Sequence, residues 1–169
     1  MRVVKSGNFL LETGKGWKRI GTMSGSEFKE ADPKAWMTAV LADFGCETGT
    51  LHRADGEWLD LVAAIGVPEP LMPVIQRIPF GKGIAGAAAS TREPVELCNL
   101  QEDLGGVAKE GARQTKVSGS LAVPVFSAEG DVVIGTLGVG KREPYEFTEQ
   151  EKAELARRAG EVAFVWEAE

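Results

Sequence analysis

Metal-ligating side chains are scarce: the 169 residues hold one histidine, His52, and two cysteines, Cys46 and Cys98. A structural zinc site would need carboxylates to complete it, so no metal is expected. A lone histidine is ordinarily a hydrogen-bonding residue, and no cofactor is expected either. No apolar run is long enough to span a bilayer. The first residues, MRVVKSGNFLLETGKG, lack the continuous apolar stretch of a secretion signal. A cytoplasmic protein without a membrane partner is expected, with both cysteines as reduced thiols. Positive charge is also short, with 19 Lys and Arg against 25 Asp and Glu. The resulting net charge of −6 speaks against a nucleic-acid partner.

What is present is an ordinary globular composition, 43% hydrophobic and 26% charged, in a chain long enough for one domain with a full core. Residues 1–31 read as an N-terminal extension, with Val3, Val4, Phe9 and Leu10 as a candidate short strand between glycine-rich stretches. From residue 32 onward the pattern is firm. Asp32-Pro33 opens a helix carrying Trp36, Val40, Leu41 and Phe44 at helical spacing, and Gly45 closes it. A hairpin follows: Thr50–Arg53 and Trp58–Ile65 flank the turn pair Asp55-Gly56. In its second strand Leu59, Leu61, Ala63 and Ile65 alternate with Trp58, Asp60 and Val62, which predicts one apolar face.

GKGIAGAAAST, residues 81–91, reads as a glycine-rich turn entering a helix of small residues that can lie close to a sheet. Val95 and Leu97 form a short strand, and residues 99–117 a long polar connection. A second hairpin runs from Leu121, Val123 and Val125 through a turn at Ala128–Asp131 to Val132–Val139. Thr148 and Glu151 make a capping-box pattern, followed by the helical stripe Leu155, Ala159, Val162, Ala163 and Trp166. Hairpins imply an antiparallel sheet with helices packed on it, an α+β fold.

Five segments, in order, resemble a GAF domain: RIPFGKGIAG (77–86), REPVELCNL (92–100), SGSLAVPVF (118–126), EGDVVIGTLGV (129–139) and EFTEQEKAEL (146–155). The resemblance covers residues 32–167 and places the domain at 32–169. It implies a PAS-like six-stranded antiparallel sheet with terminal helices on one face and a ligand pocket on the other. It also implies a homodimer formed through those helices and a regulatory role, with a small molecule or a signalling protein as partner.

Within that frame the candidate binding residues are Phe80, Lys82, Gly83, Ile84, Cys98, Asn99, Asp103, Arg113 and Ser120. Free amides at the helix start after Lys82, helped by Lys82, Arg113 and Lys116, suit a small anionic or carbonyl-bearing ligand. The competing reading is that these glycines only shape the turn. The 99–117 connection is expected to act as a lid. Two alternatives stand beside a ligand sensor. The first is a thiol enzyme resembling free methionine-(R)-sulfoxide reductases. That resemblance lies in the 77–86 block, but Ala85 stands where those enzymes carry cysteine, and 99–117 holds none. The second is a ligand-free dimerisation or interaction module, with Trp36, Phe44 and Trp166 either in the core or at a dimer seam. Nucleotide-binding relatives share Lys141 and Phe147 with this chain, which carries Gly140 and Lys152 where they have Asn and Glu. A Lys141–Glu151 ion pair would pin the last strand to the last helix.

Overall fold

The computed structural model describes residues 32–99 and 117–167, together with the backbone of two short strands near the N-terminus. Those strands, β1 (Leu10–Thr13) and β2 (Gly16–Arg19), pair antiparallel with each other in a sheet of their own. Leu10 thus starts a strand as expected, while Val3, Val4 and Phe9 lie outside the described residues.

The domain itself begins with α1 (Pro33–Phe44). The Asp32 carbonyl accepts from the amides of Ala35 and Trp36 at 2.9 and 3.1 Å, but its side chain makes no cap hydrogen bond. Pro33, whose missing N–H would be an orphan there anyway, occupies the first turn. The hairpin of β3 (Thr48–Asp55) and β4 (Trp58–Ile65) follows. A 3-10 turn at Glu69–Leu71 leads into the single-turn helix α2 (Met72–Ile75) and the short strand β5 (Arg77–Pro79). Next come α3 (Gly83–Thr91) and β6 (Val95–Leu97), then the second hairpin, β7 (Gly119–Phe126) and β8 (Val133–Lys141). The last element is α4 (Glu149–Trp166), entered through the expected capping box. The Glu151 amide donates to Thr148 Oγ1 at 3.1 Å, and the Thr148 amide donates to Glu151 Oε2 at 2.8 Å.

The six strands form one antiparallel sheet in the order β5-β4-β3-β8-β7-β6. Side-chain alternation divides it into two faces. On one face α1 and α4 bury Trp36, Met37, Val40, Leu155, Ala159 and Val162 against Leu51, Val123, Val125 and Leu137. Burying each such aliphatic side chain is worth about 1.5–3 kcal/mol. Trp36, Phe44 and Trp166 belong to this core, at 0%, 7% and 7% exposure. Arg158, 2% exposed on α4, joins the two helices through Asp43 on α1. Among the described residues no helix is long and apolar enough to cross a membrane.

One expectation fails on β4, next to the edge strand β5. Strict alternation along β4 would put Leu59, Leu61, Ala63 and Ile65 on one face. A bulge intervenes: Leu61 pairs with His52 and Ala63 with Leu51, so Val62 is the extra residue. Ala63 and Ile65 therefore face the helical core, while Leu61 sits beside His52 on the opposite face. The Leu61 amide faces β5 and donates to Gln76 O at 2.9 Å, which continues the β4–β5 register one step past Asp60 and Arg77.

The expected Lys141–Glu151 pair is replaced by two separate sets of contacts. Lys141 Nζ donates to Phe44 O and Gly45 O at the end of α1. Glu151 accepts from the Tyr145 hydroxyl at 2.9 Å.

Candidate functional site

The sheet face away from α1 and α4 is where small side chains collect. On β3 it presents Thr48, Thr50 and His52, on β7 Ser120 and Ala122, and on β8 Gly138. Leu71, Val74, Ile75 and Ile78 wall this floor on the β5 side, and Lys82, Gly83, Ile84 and Ala85 wall it on the other. Between them lies a cavity of about 190 Å³. Its size follows from the residues beneath it. A Cβ on Gly138 would stand 3.1 Å from Thr50 Oγ1, so any larger residue at 138 takes its volume from the cavity.

The wall at α3 is built by backbone conformation. Gly81 and Gly83 adopt φ of 84° and 65°, which residues with a Cβ rarely take. The chain can therefore turn sharply from β5 into α3. The first intrahelical bond runs from the Gly86 amide to Lys82 O at 3.1 Å. The amides of Gly83, Ile84 and Ala85 precede it and have no acceptor within the helix, and all three residues line the cavity. Ala88 and Ala89, 0% and 2% exposed, let α3 lie close on β7 and β8. Lys82 brings an ammonium group to the same wall. This wall can accept negative charge or a carbonyl oxygen.

Among the described residues the floor carries one titratable side chain, His52. His52 is 1% exposed, and its Nε2 lies 2.9 Å from Ile75 O on α2. A carbonyl can only accept, so Nε2 bears the hydrogen and Nδ1 is left as a lone pair. Burial holds the imidazole below its ordinary 6.5, against the smaller upward pull of that hydrogen bond and of Asp60. His52 is therefore neutral at pH 7.

Of the residues expected from sequence, Lys82, Gly83, Ile84 and Ser120 line the cavity. Phe80 does not. The chain leaves β5 there, and Phe80 lines a separate hollow with Trp58 and Arg92. Cys98 is exposed just past β6 rather than packed in a strand, and its carbonyl accepts the Tyr145 amide at 2.9 Å. Asn99 follows it half-buried, outside the cavity lining, and its Oδ1 has no hydrogen-bond partner among the described residues. Asp103, Arg113, Lys116 and the expected lid from 100 to 116 lie outside the described residues. Sequence reading missed His52 as a site residue, although parity along β3 was a usable signal. If Leu51 faces the core, its neighbours Thr50 and His52 must face the other way. The α2 wall had no comparable signal.

Comparison with known proteins adds the family. The GAF domain family model matches residues 37–167. Among solved structures, the chain is similar to the GAF domain of a phosphoenolpyruvate-protein phosphotransferase from Coxiella burnetii, with 18% identity and TM-score 0.67 over 85% of this chain and 89% of that one. It is also similar to a type II free methionine-R-sulfoxide reductase from Thermoplasma acidophilum, with 16% identity and TM-score 0.65 over 83% and 94% of the two chains. A third similar structure is the reduced form of the corresponding Staphylococcus aureus protein, with 22% identity and TM-score 0.60 over 76% and 78%. At these identities the likeness is one of fold. No curated protein matches the chain.

Proposed function

The chain belongs to the GAF domain family, whose members are in general small-molecule-binding regulatory domains, and we propose that it works as a cytoplasmic sensor of a small carboxylate or carbonyl compound. The observation that carries this reading is the cavity itself. It is mostly hydrocarbon-lined, and one wall is made of the amides that open α3 together with Lys82. Apolar walls supply affinity, and a few placed polar groups fix orientation. The output runs through association of the terminal helices, as a homodimer or with a signalling protein. Phe164 on α4, 64% exposed, is the large apolar side chain there left to water.

The thiol-reductase reading has less support. Neither Cys46 nor Cys98 lines the cavity. Burial pushes the Cys46 thiol up to about 11, which removes the thiolate that such chemistry needs.

Two measurements test the sensor reading: native mass spectrometry of the purified protein, and thermal shift against a panel of small carboxylates. A small molecule should accompany the wild type, or a carboxylate should raise its Tm. Both effects should vanish in Gly138→Val, which fills the floor, while its circular dichroism stays native. Retained binding in that variant, or no ligand response in the wild type, would overturn the reading.

A further inference from the structure

The hollow that Phe80 shares with Trp58 lies apart from the cavity, between the β3–β4 turn, the end of β5, the end of α3 and the start of β8. Among the described residues five large apolar side chains are exposed, and two of them, Trp58 at 44% and Val132 at 53%, stand on this hollow. Pro79, Phe80 and Val133 continue the apolar lining. The open space measures about 750 Å³, so it takes a folded piece of chain rather than one side chain. Apolar surface gathered in one exposed place marks a docking site.

The rim of this hollow is acidic. Glu57 and Asp131 line it, and Asp55, Asp60 and Glu129 stand on the same two hairpins. Arg77 holds Asp55 and Asp60, and its guanidinium lies 5.3 Å from the centre of the Trp58 ring. Arg92, over the Phe126 ring, donates to Asp131 O at 2.7 Å. Five carboxylates against two guanidinium groups leave a local charge of −3. A complementary partner is therefore basic and apolar at once.

The chain itself carries such a segment. Residues 1–31 hold six Lys and Arg against three Asp and Glu, a charge of +3, whereas 32–169 hold 13 against 22, a charge of −9. Within residues 10–19, Leu10, Leu11 and Trp17 stand in sequence beside Lys15, Lys18 and Arg19. The strands β1 and β2 pair with each other and not with the six-stranded sheet. A two-stranded hairpin alone is marginal in water and needs a further layer to pack on. Residues 20–31 can span at most about 40 Å, roughly the width of a domain of this size, so the tether to α1 lets the hairpin reach the hollow. We propose that residues 10–19 dock in this hollow as an intramolecular arm, their apolar side chains on Trp58 and Val132 and their basic ones on the acidic rim. The short tether gives the arm an effective concentration that no separate molecule reaches.

The test is zero-length carbodiimide cross-linking of the whole chain, which joins a lysine amine to a carboxylate in contact with it. An equal mixture of light and isotope-heavy protein separates links within one chain from links between two. Same-chain links should run from Lys15 or Lys18 to Asp55, Glu57, Glu129 or Asp131, and high salt should weaken them. Trp58→Ser combined with Val132→Ser removes the apolar contact, keeps every charge and should cut the yield of those links about tenfold. Both residues are exposed, so the variant should keep its circular dichroism, and the wild-type map decides the matter even if it does not. Links from these lysines to carboxylates elsewhere, such as Glu149 or Glu161 on α4, overturn the proposal. So do links found only between light and heavy chains, which would give the hollow to the arm of a second copy. The absence of any link overturns it as well, and so does an unchanged yield in the double variant, which would reduce the contact to general charge attraction.

Discussion

Lys141 Nζ lies 2.9 Å from the carbonyl oxygen of Phe44, so the last residue of β8, an interior strand, closes the C-terminal end of α1. A helix end leaves carbonyls without intrahelical partners and carries partial negative charge. The ammonium satisfies two of those oxygens, Phe44 and Gly45, and also sits 4.2 Å from the centre of the Tyr145 ring. One side chain therefore couples the sheet, the first helix and the segment leading into α4.

Replacing Lys141 with Met keeps the aliphatic stem and removes the charge. We expect a loss of about 1–2 kcal/mol in urea unfolding at low salt, the scale of a partly buried cation at a helix C-terminus. Lys141→Arg should recover part of it. A Lys141→Met variant as stable as wild type would show that water replaces the ammonium at no cost.

Stability should also report His52. The unfolded chain binds a proton on this ring near 6.5, and burial makes the folded chain resist it. The stabilisation is complete above about pH 6.5 and declines as the pH falls below it, because protonation then favours the unfolded state. Each unit of depression is worth about 1.4 kcal/mol. Of the neighbouring groups, Asp60 pulls weakly the other way. Glu154, held below 4.5 by the Arg157 guanidinium, affects stability only in more acid solution. So does Glu151, where hydrogen bonds from Thr148 and Tyr145 outweigh burial. Chemical unfolding between pH 7.5 and 5 should show the decline in the wild type and its absence in His52→Phe. A flat wild-type profile would mean that the folded ring protonates freely.

The two thiols should differ sharply in reactivity. Cys98 is exposed, whereas Cys46 is half-buried, donates toward Phe44 O at 3.7 Å and is pushed up to about 11. At pH 8 roughly one Cys46 in a thousand is thiolate, a tenfold drop for each unit below its pKa. Iodoacetamide labelling followed by peptide mapping should modify Cys98 to completion before Cys46 is detectably touched. Comparable rates at the two sites would contradict the burial of Cys46.

Several elements were legible because their signals are local. Asp32-Pro33 and Gly45 bracket α1, Asp55-Gly56 turns the first hairpin, and Thr148 with Glu151 starts α4. Each rests on backbone preferences that act over three or four residues. The α3 wall was legible for the same reason, since glycines before a run of alanines say where amides will be free. The floor of the cavity was not. It is assembled from β3, β7 and β8, and which parity of each strand faces inward depends on what covers the opposite face.

The amino-acid sequence by itself determined the two hairpins and the helices α1, α3 and α4 in order, the family and the helix entry at Gly81–Gly83, but not the short strands β2 and β5, because the former follow from short-range backbone preferences and from the order of matching segments. Tertiary structure alone decided the rest. The Val62 bulge turned Leu61 toward His52, the end of β5 sent Phe80 to a different hollow, and Cys98 was left outside the cavity. The pairing of β3 with β8 set the His52 imidazole opposite Thr136. The reason is physical: a residue's neighbours across a sheet are set by register and packing between segments dozens of residues apart, and no local pattern encodes that distance.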